Sequence, residues 1–196
     1  MPHFLIIIPG LGDRASLLEF ATRNWEQKYT IKTIVHPIPW QGTEQEFGLK
    51  LERLIAIIDT SIGNGYRVSL LGTSAGGSAV INAFAMRKGK IHRVINVCGR
   101  LRRGGNVSPT LEEASRKNKS FYDSVILCEN NLNSLTPDEE KKILTFRPLF
   151  DELVPSSTVT VSGGMNILMP TIEHVLSISV AITVFANKIV DFVLKE

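Results

Sequence analysis

The strongest constraint on this chain is the stretch Arg67-Val-Ser-Leu-Leu-Gly72-Thr73-Ser74-Ala75-Gly76-Gly77. A run of strand character leads into Gly-x-Ser-x-Gly, and a helix-forming run from Ala79 to Lys88 follows. A serine between a strand and a helix sits on a very sharp turn, with its backbone pushed towards an unfavourable φ/ψ region. Bulky side chains at Gly72 and Gly76 would collide with the adjoining strand and helix, so small residues are required there. The turn lifts the Ser74 hydroxyl clear of the sheet and points the Ala75 amide at the space beside it. A glycine-rich loop with Ser74 as a mere helix cap is the plainer reading of the same residues. A phosphate-cradling loop needs lysine immediately before its Ser/Thr, and Gly77 precedes Ser78, so that reading fails.

The flanking chain has an α/β rhythm. Phe4 to Ile8 is a continuous apolar run stopped by Pro9-Gly10, the pattern of a strand buried on both faces of a parallel sheet. Arg14 to Glu26 reads as a helix with Leu17, Leu18, Ala21 and Trp25 on one face. Thr30 to Val35 is the next strand, ended by the prolines of His36-Pro-Ile-Pro-Trp40. Thr43-Glu-Gln-Glu46 reads as a capping box that starts a helix through Phe47, Leu51, Leu54, Ile55 and Ile58. Gly63 and Gly65 stop that helix before the strand carrying Ser74, and Ile91 to Val97 forms a fourth strand. Beyond it come the basic loop from Gly99 to Asn106 and one helix from near Pro109 to just before Asn130. A short helix at Thr136-Pro-Asp-Glu139 follows, then strands over Lys142–Arg147 and Thr158–Val161, and a closing helix over Glu173–Leu194. These elements predict a mostly parallel sheet of about six strands with helices on both faces, as one domain over residues 1–196.

Composition narrows the partners. Hydrophobic residues make up 43% and charged residues 21%, as in an ordinary globular protein. A formal charge of +3 without a dense Lys/Arg run argues against nucleic acid. Cys98 and Cys128 lie in apolar runs and read as buried hydrophobes, without metal spacing or a disulfide framework. The opening Met1–Pro9 lacks a basic region and a cleavage site, and the longest apolar stretch, Val175 to Ala186, is interrupted by serines and a threonine. No signal peptide and no membrane span are expected, and the default location is cytoplasmic.

With a strand before it and a helix after it, the Ser74 segment resembles the nucleophile elbow of the α/β-hydrolase family. A serine hydroxyl needs a base to take its proton, and that base needs a carboxylate to fix its tautomer. In an open parallel sheet these groups come from loops beyond the carboxyl ends of the strands. Asp151 stands a few residues past a strand, in Phe150-Asp151-Glu-Leu-Val-Pro155, which looks like the acid loop of that family. Glu152 is the substitute if the assignment is off by one. His174 follows the acid in Pro170-Thr-Ile-Glu-His174, as the family order Ser, Asp, His requires. His3 and His92 fall at the amino end of strands, the wrong edge, and His36 lies upstream of the serine. The loop Ile8-Pro9-Gly10-Leu11-Gly12-Asp13 resembles the family's oxyanion loop, with Pro9 where a histidine is often seen. The resemblance implies that the amides of Leu11, or Gly12, and Ala75 donate to a tetrahedral oxyanion, with Gly10 and Gly12 keeping the backbone open to substrate.

The resemblance covers nearly the whole chain, although the family's leading antiparallel strands are absent. Residues 99–141 occupy the place where members insert a lid and are modest in length, which suggests a small or open pocket. The resemblance implies a serine hydrolase acting on a small ester or thioester acyl substrate, with no cofactor and no metal; amide, peptide and acyl-transfer chemistry stay open. Arg100, Arg102 and Arg103 follow the fourth strand and are expected at the pocket rim, where they would favour acidic substrates; a solvated basic loop is the plainer reading. A non-catalytic binding or scaffold protein of the same fold is one alternative. A dinucleotide site is the other, since Gly10-x-Gly12-x-x-Ala15 follows a strand. Its second strand, however, ends Ile34-Val35-His36 without the carboxylate that a ribose needs.

Overall fold

The computed structural model describes residues 1–195. In chain order the elements are β1 (His3–Ile8), α1 (Ala15–Thr22), α2 (Trp25–Tyr29), β2 (Ile31–Val35), α3 (Phe47–Gly63), β3 (Arg67–Thr73), α4 (Gly76–Met86) and β4 (Val94–Val97). They continue as α5 (Leu111–Ala114), α6 (Lys119–Leu132), α7 (Pro137–Glu140), β5 (Ile143–Pro148), β6 (Met165–Met169), α8 (His174–Thr183) and α9 (Ala186–Leu194). The strands form one sheet in the order β2-β1-β3-β4-β5-β6, with every neighbouring pair parallel.

Alternation along β1 sorts the core into two layers, because successive side chains point to opposite faces. Phe4, Ile6 and Ile8 join Leu51, Leu54 and Ile58 of α3, Val80 and Phe84 of α4, and Val125 and Cys128 of α6. Leu5 and Ile7 join Leu18 of α1, Trp25 of α2, Ala181 and Ile182 of α8, and Ile189 and Val193 of α9. Apolar cover on both faces explains why β1, β3 and β4 read as near-continuous hydrophobic runs.

The chain leaves β1 for β2 on one side and returns to place β3 on the other, so the strand order reverses between β1 and β3. Ile8 pairs with Gly72, which brings the loop after β1 beside the turn after β3. That crevice at the carboxyl ends is where open α/β sheets bind ligands.

Several sequence expectations shift. The helix expected over Arg14–Glu26 is two helices broken at Arg23-Asn24. The break buries Leu18 and Trp25 but leaves Leu17 exposed. No capping box forms at Thr43: α3 starts at Phe47 with Glu46 as an uncapped N-cap. Residues 43–46 are held instead as a loop, by Ser120 Oγ donating to the Gln45 carbonyl and by an ion pair between Glu44 and Arg53. The helix expected from Pro109 is α5 and α6, each with its own cap. Thr110 and Glu113 form a capping box, and Asn118 accepts from the Phe121 amide. Residues 158–161 are not a strand; a 3-10 turn spans Ser156–Thr158 and the edge strand is β6. Asn166 makes this choice, its carbonyl accepting from the Val161 amide and its Nδ2 donating to the Val161 and Gly164 carbonyls. The closing helix divides at Val184-Phe185, where Phe185 turns edge-on to Phe146 at 6.0 Å. Its halves bend by 58°, and no single helix among the described residues is long and apolar enough to cross a membrane.

Candidate active site

Ser74 and Ala75 make the turn between β3 and α4, with Ser74 at φ of +51°. A left-handed backbone costs a non-glycine residue roughly 1–2 kcal/mol, so the surroundings must over-determine it. They do so through close backbone packing. A Cβ at position 72 would lie 2.2 Å from the Gly76 carbonyl oxygen, and one at position 76 would lie 2.2 Å from that of Ile8. The Ser74 amide donates to the Val97 carbonyl at 2.9 Å, tying the turn to β4. The requirement for glycine at 72 and 76 is therefore met by backbone on both sides.

His174 is the first residue of α8, and its side chain reaches Ser74. Nε2 lies 2.9 Å from Ser74 Oγ, and Nδ1 lies 2.8 Å from Asp151 Oδ2. With Nδ1–H donating to the carboxylate, Nε2 is left to accept from the hydroxyl. Both partners are sequestered, His174 at 3% and Asp151 at 8% exposed, while Ser74 stays partly open. Asp151 Oδ1 accepts from the Leu153 and Val154 amides at 2.9 and 2.8 Å, so the carboxylate cannot rotate away from the ring. Glu152 does not stand in for it. Its two oxygens accept from the His174 amide at 3.3 and 3.1 Å, which fixes the backbone rather than the ring.

Gly10 packs against the serine: a Cβ there would lie 2.7 Å from Ser74 Cβ. Leu11 is half-buried, and among the described residues neither its amide nor that of Ala75 donates a hydrogen bond within the protein. Gly12 is exposed, with only the Arg14 side chain near it. His3 and His92 lie at the opposite edge, their rings 5.7 Å apart. Cys98 is fully buried at the end of β4, where burial first and the Asp151 charge second push its thiol far up, so it stays protonated.

Arg100 is not at the rim. It is 1% exposed, and its guanidinium donates to the carbonyls of Arg102, Pro109 and Arg103. Arg102 donates to the Thr160 carbonyl, and Arg103 pairs with Glu112. Backbone carbonyls take the guanidinium donors of Arg100 and Arg102, and the Glu112 carboxylate takes that of Arg103. Nor do residues 99–141 form only a cover. Phe121, Val125, Cys128 and Leu132 of α6 are buried, and Ser124 Oγ meets Ser78 Oγ of α4 at 2.7 Å.

Four residues missed in the sequence shape the site. Asn96 Nδ2 donates to the Gly99 and Val159 carbonyls, and its Oδ1 accepts from the Gly99 amide. Asp13, Trp40 and Asn118 hold the loop after β1. An asparagine inside an apolar strand run was the available signal for Asn96; a buried strand admits one only if its amide is fully bonded.

The sequence matches no protein-family model, and no curated protein matches it. Solved structures do match. One of two metagenome-derived lipolytic enzymes, LipS and LipT, superposes with a TM-score of 0.74 at 11% identity, over 100% of this chain and 94% of that one. The fold is that of the α/β-hydrolases. Est1E from Butyrivibrio proteoclasticus gives a TM-score of 0.67 at 15% identity, covering 98% of this chain and 87% of its own. A soluble variant of monoglyceride lipase from Saccharomyces cerevisiae, in complex with a substrate analogue, gives 0.67 at 11% identity over 100% and 87%. At such identities the α/β-hydrolase likeness speaks for architecture, and chemistry has to be argued from the residues themselves.

Proposed function

We propose that this chain is a serine hydrolase that cleaves a small ester or thioester through an acyl-enzyme on Ser74. The observation that carries the reading is the hydrogen-bonded line from Ser74 Oγ to His174 Nε2 at 2.9 Å and from His174 Nδ1 to Asp151 Oδ2 at 2.8 Å. In this reading Ser74 Oγ attacks the carbonyl carbon while Nε2 takes its proton. The tetrahedral oxyanion is held by the Leu11 and Ala75 amides. The imidazolium then returns the proton to the leaving group, and the acyl group stays on Ser74. Water attacks next, activated by the same Nε2, and releases the acid. Asp151 keeps Nδ1 protonated and stabilises the imidazolium. The chain works here as one catalytic domain on a small-molecule acyl substrate.

Two measurements test this. A fluorophosphonate should label the wild-type chain at Ser74, and Ser74→Ala should abolish labelling. With p-nitrophenyl acetate, Ser74→Ala and His174→Ala should each lose about 10⁴-fold or more in kcat, since members of such a unit fail together. A folded wild-type chain that neither labels nor turns over would favour a binding protein of this fold.

A further inference from the structure

The oxyanion loop, residues 9–14, has no regular structure of its own, so its amides are placed by whatever grips it. One residue grips it at both ends. The indole Nε1–H of Trp40 donates to the Pro9 carbonyl at 3.2 Å, and the Trp40 amide donates to Asp13 Oδ2 at 3.0 Å. Between those points the Asp13 amide closes a turn onto the Gly10 carbonyl at 2.9 Å, with Asp13 at φ of +46°. The Pro9 carbonyl is also the group that a Cβ on Gly76 would approach to 2.9 Å, so the gripped loop is pressed against the Ser74 turn.

Trp40 is itself immobilised. It is 1% exposed, its ring stacks on Phe47 at 6.0 Å with an interplanar angle of 2°, and it stands edge-on to Phe121 at 6.3 Å. Its carbonyl accepts from Asn118 Nδ2 at 2.9 Å, and Lys50 Nζ donates to the preceding carbonyl, that of Pro39, at 2.6 Å. Asn118 at the start of α6, through the Trp40 carbonyl, and Phe47 at the start of α3, through its ring, thus fix the residue that grips the loop, and Gln41 Nε2 beside it donates to the Leu11 carbonyl at 3.2 Å.

We propose that Trp40, acting with Asp13, is a positioning residue that sets the Leu11 amide at the oxyanion. This rests on the Ser74 hydrolase reading. Neither side chain touches a reacting atom; their effect passes through the loop. Losing one oxyanion donor costs about 10²–10³-fold in kcat, and a misplacement of about 1 Å costs about 10²-fold. Asp13 Oδ1 is buried without a partner, and burial holds the Asp13 carboxyl above its ordinary range. An asparagine there keeps an oxygen for the Trp40 amide without forfeiting any other bond.

The test uses the full chain, with kcat and KM resolved on p-nitrophenyl acetate. Alongside them run the inhibition constant of a trifluoromethyl ketone, which places an oxyanion in the hole, and the thermal midpoint. Trp40→Phe keeps the stacked ring and loses the indole donor. It should lower kcat about 10–100-fold with KM within about twofold, and weaken the ketone by a matching factor. Asp13→Ala should do the same, and Asp13→Asn should recover most of the loss. Unchanged kcat in folded Trp40→Phe and Asp13→Ala overturns the proposal, as does a loss that follows KM and the thermal midpoint while ketone affinity holds. Should Trp40→Phe fail to fold, the Asp13 pair decides by the same readouts. A wild-type chain without Ser74-dependent turnover sinks the hydrolase reading first, and this proposal with it, before any Trp40 variant is made.

Discussion

A methyl group at position 76 would sit 2.2 Å from the Ile8 carbonyl oxygen and 2.9 Å from that of Pro9. Neither oxygen can move away, since β1 is paired on both sides and the Pro9 carbonyl is taken by Trp40. Gly76→Ala must therefore shift the elbow itself, and should destabilise the chain by about 3 kcal/mol or more as well as abolish Ser74 labelling. Gly48 provides the contrast. It is exposed in the first turns of α3, and a Cβ there meets nothing within 4 Å. Gly48→Ala should stabilise by about 0.5 kcal/mol through backbone entropy alone. Denaturant midpoints for the two variants should move in opposite directions; a tolerated Gly76→Ala would show that the close approach is not obligatory.

At the scale of elements, Asn96 binds the end of β4 to the chain that follows it. Its amide satisfies Gly99 in both directions and the carbonyl of Val159, and its Oδ1 is what a Cβ on Gly77 would strike at 2.0 Å. Asn96→Ala leaves these buried groups unbonded, at a cost of about 2–4 kcal/mol in unfolding free energy. Asn96→Asp turns a carboxylate oxygen onto the Gly99 and Val159 carbonyls at a fully buried position, and should cost at least as much; equal stability of both variants and the wild type would contradict this account. Such long-range bonds mark the limit of what the chain revealed in advance. The convergence of Ser74, Asp151 and His174 was legible because each stands in a local pattern beyond the end of a strand. Five of the six strands were legible: β1, β3, β4 and β5 because covered parallel strands are largely apolar, and the edge strand β2 from a β-branched run ended by Pro37. β6 was not, because Met165 and Leu168 are largely exposed at the sheet edge, while buried Val159 and Val161 imitate a strand. The capping signature at Thr43 failed for a related reason: Ser120, far away in sequence, takes the Gln45 carbonyl and holds the segment open. Arg100 read as surface charge because nothing local shows that Pro109 and two loop carbonyls surround it.

For the molecule as a whole, the two edges of the sheet behave differently towards acid. At the amino edge His92 is half-buried, and desolvation first, then Arg93, Arg67 and His3, lower its ring from 6.5 to about 4, the Val193 backbone opposing weakly. His3 beside it is lowered by burial, Arg67 and the amino terminus. Above pH 6.5 the His92 ring is neutral in both the folded and the unfolded chain and contributes no pH dependence. Between 6.5 and about 4 the unfolded chain takes up a proton that the folded chain refuses, so stability falls as pH falls, and it levels off below about 4. One proton limits the slope to about 1.4 kcal/mol per pH unit, and water reaching the ring keeps it below that. His92→Asn should flatten the thermal midpoint against pH between 6.5 and 5, before most carboxylates titrate, and leave Ser74 labelling at pH 7.5 unchanged. An acid limb as steep in the variant as in the wild type would place the sensitive groups elsewhere. The separation follows from topology: parallel strands put every amino end at one edge and every carboxyl end, with Ser74, at the other. Acid instability from His92 and His3 therefore reaches the edge that carries Ser74 only through global unfolding.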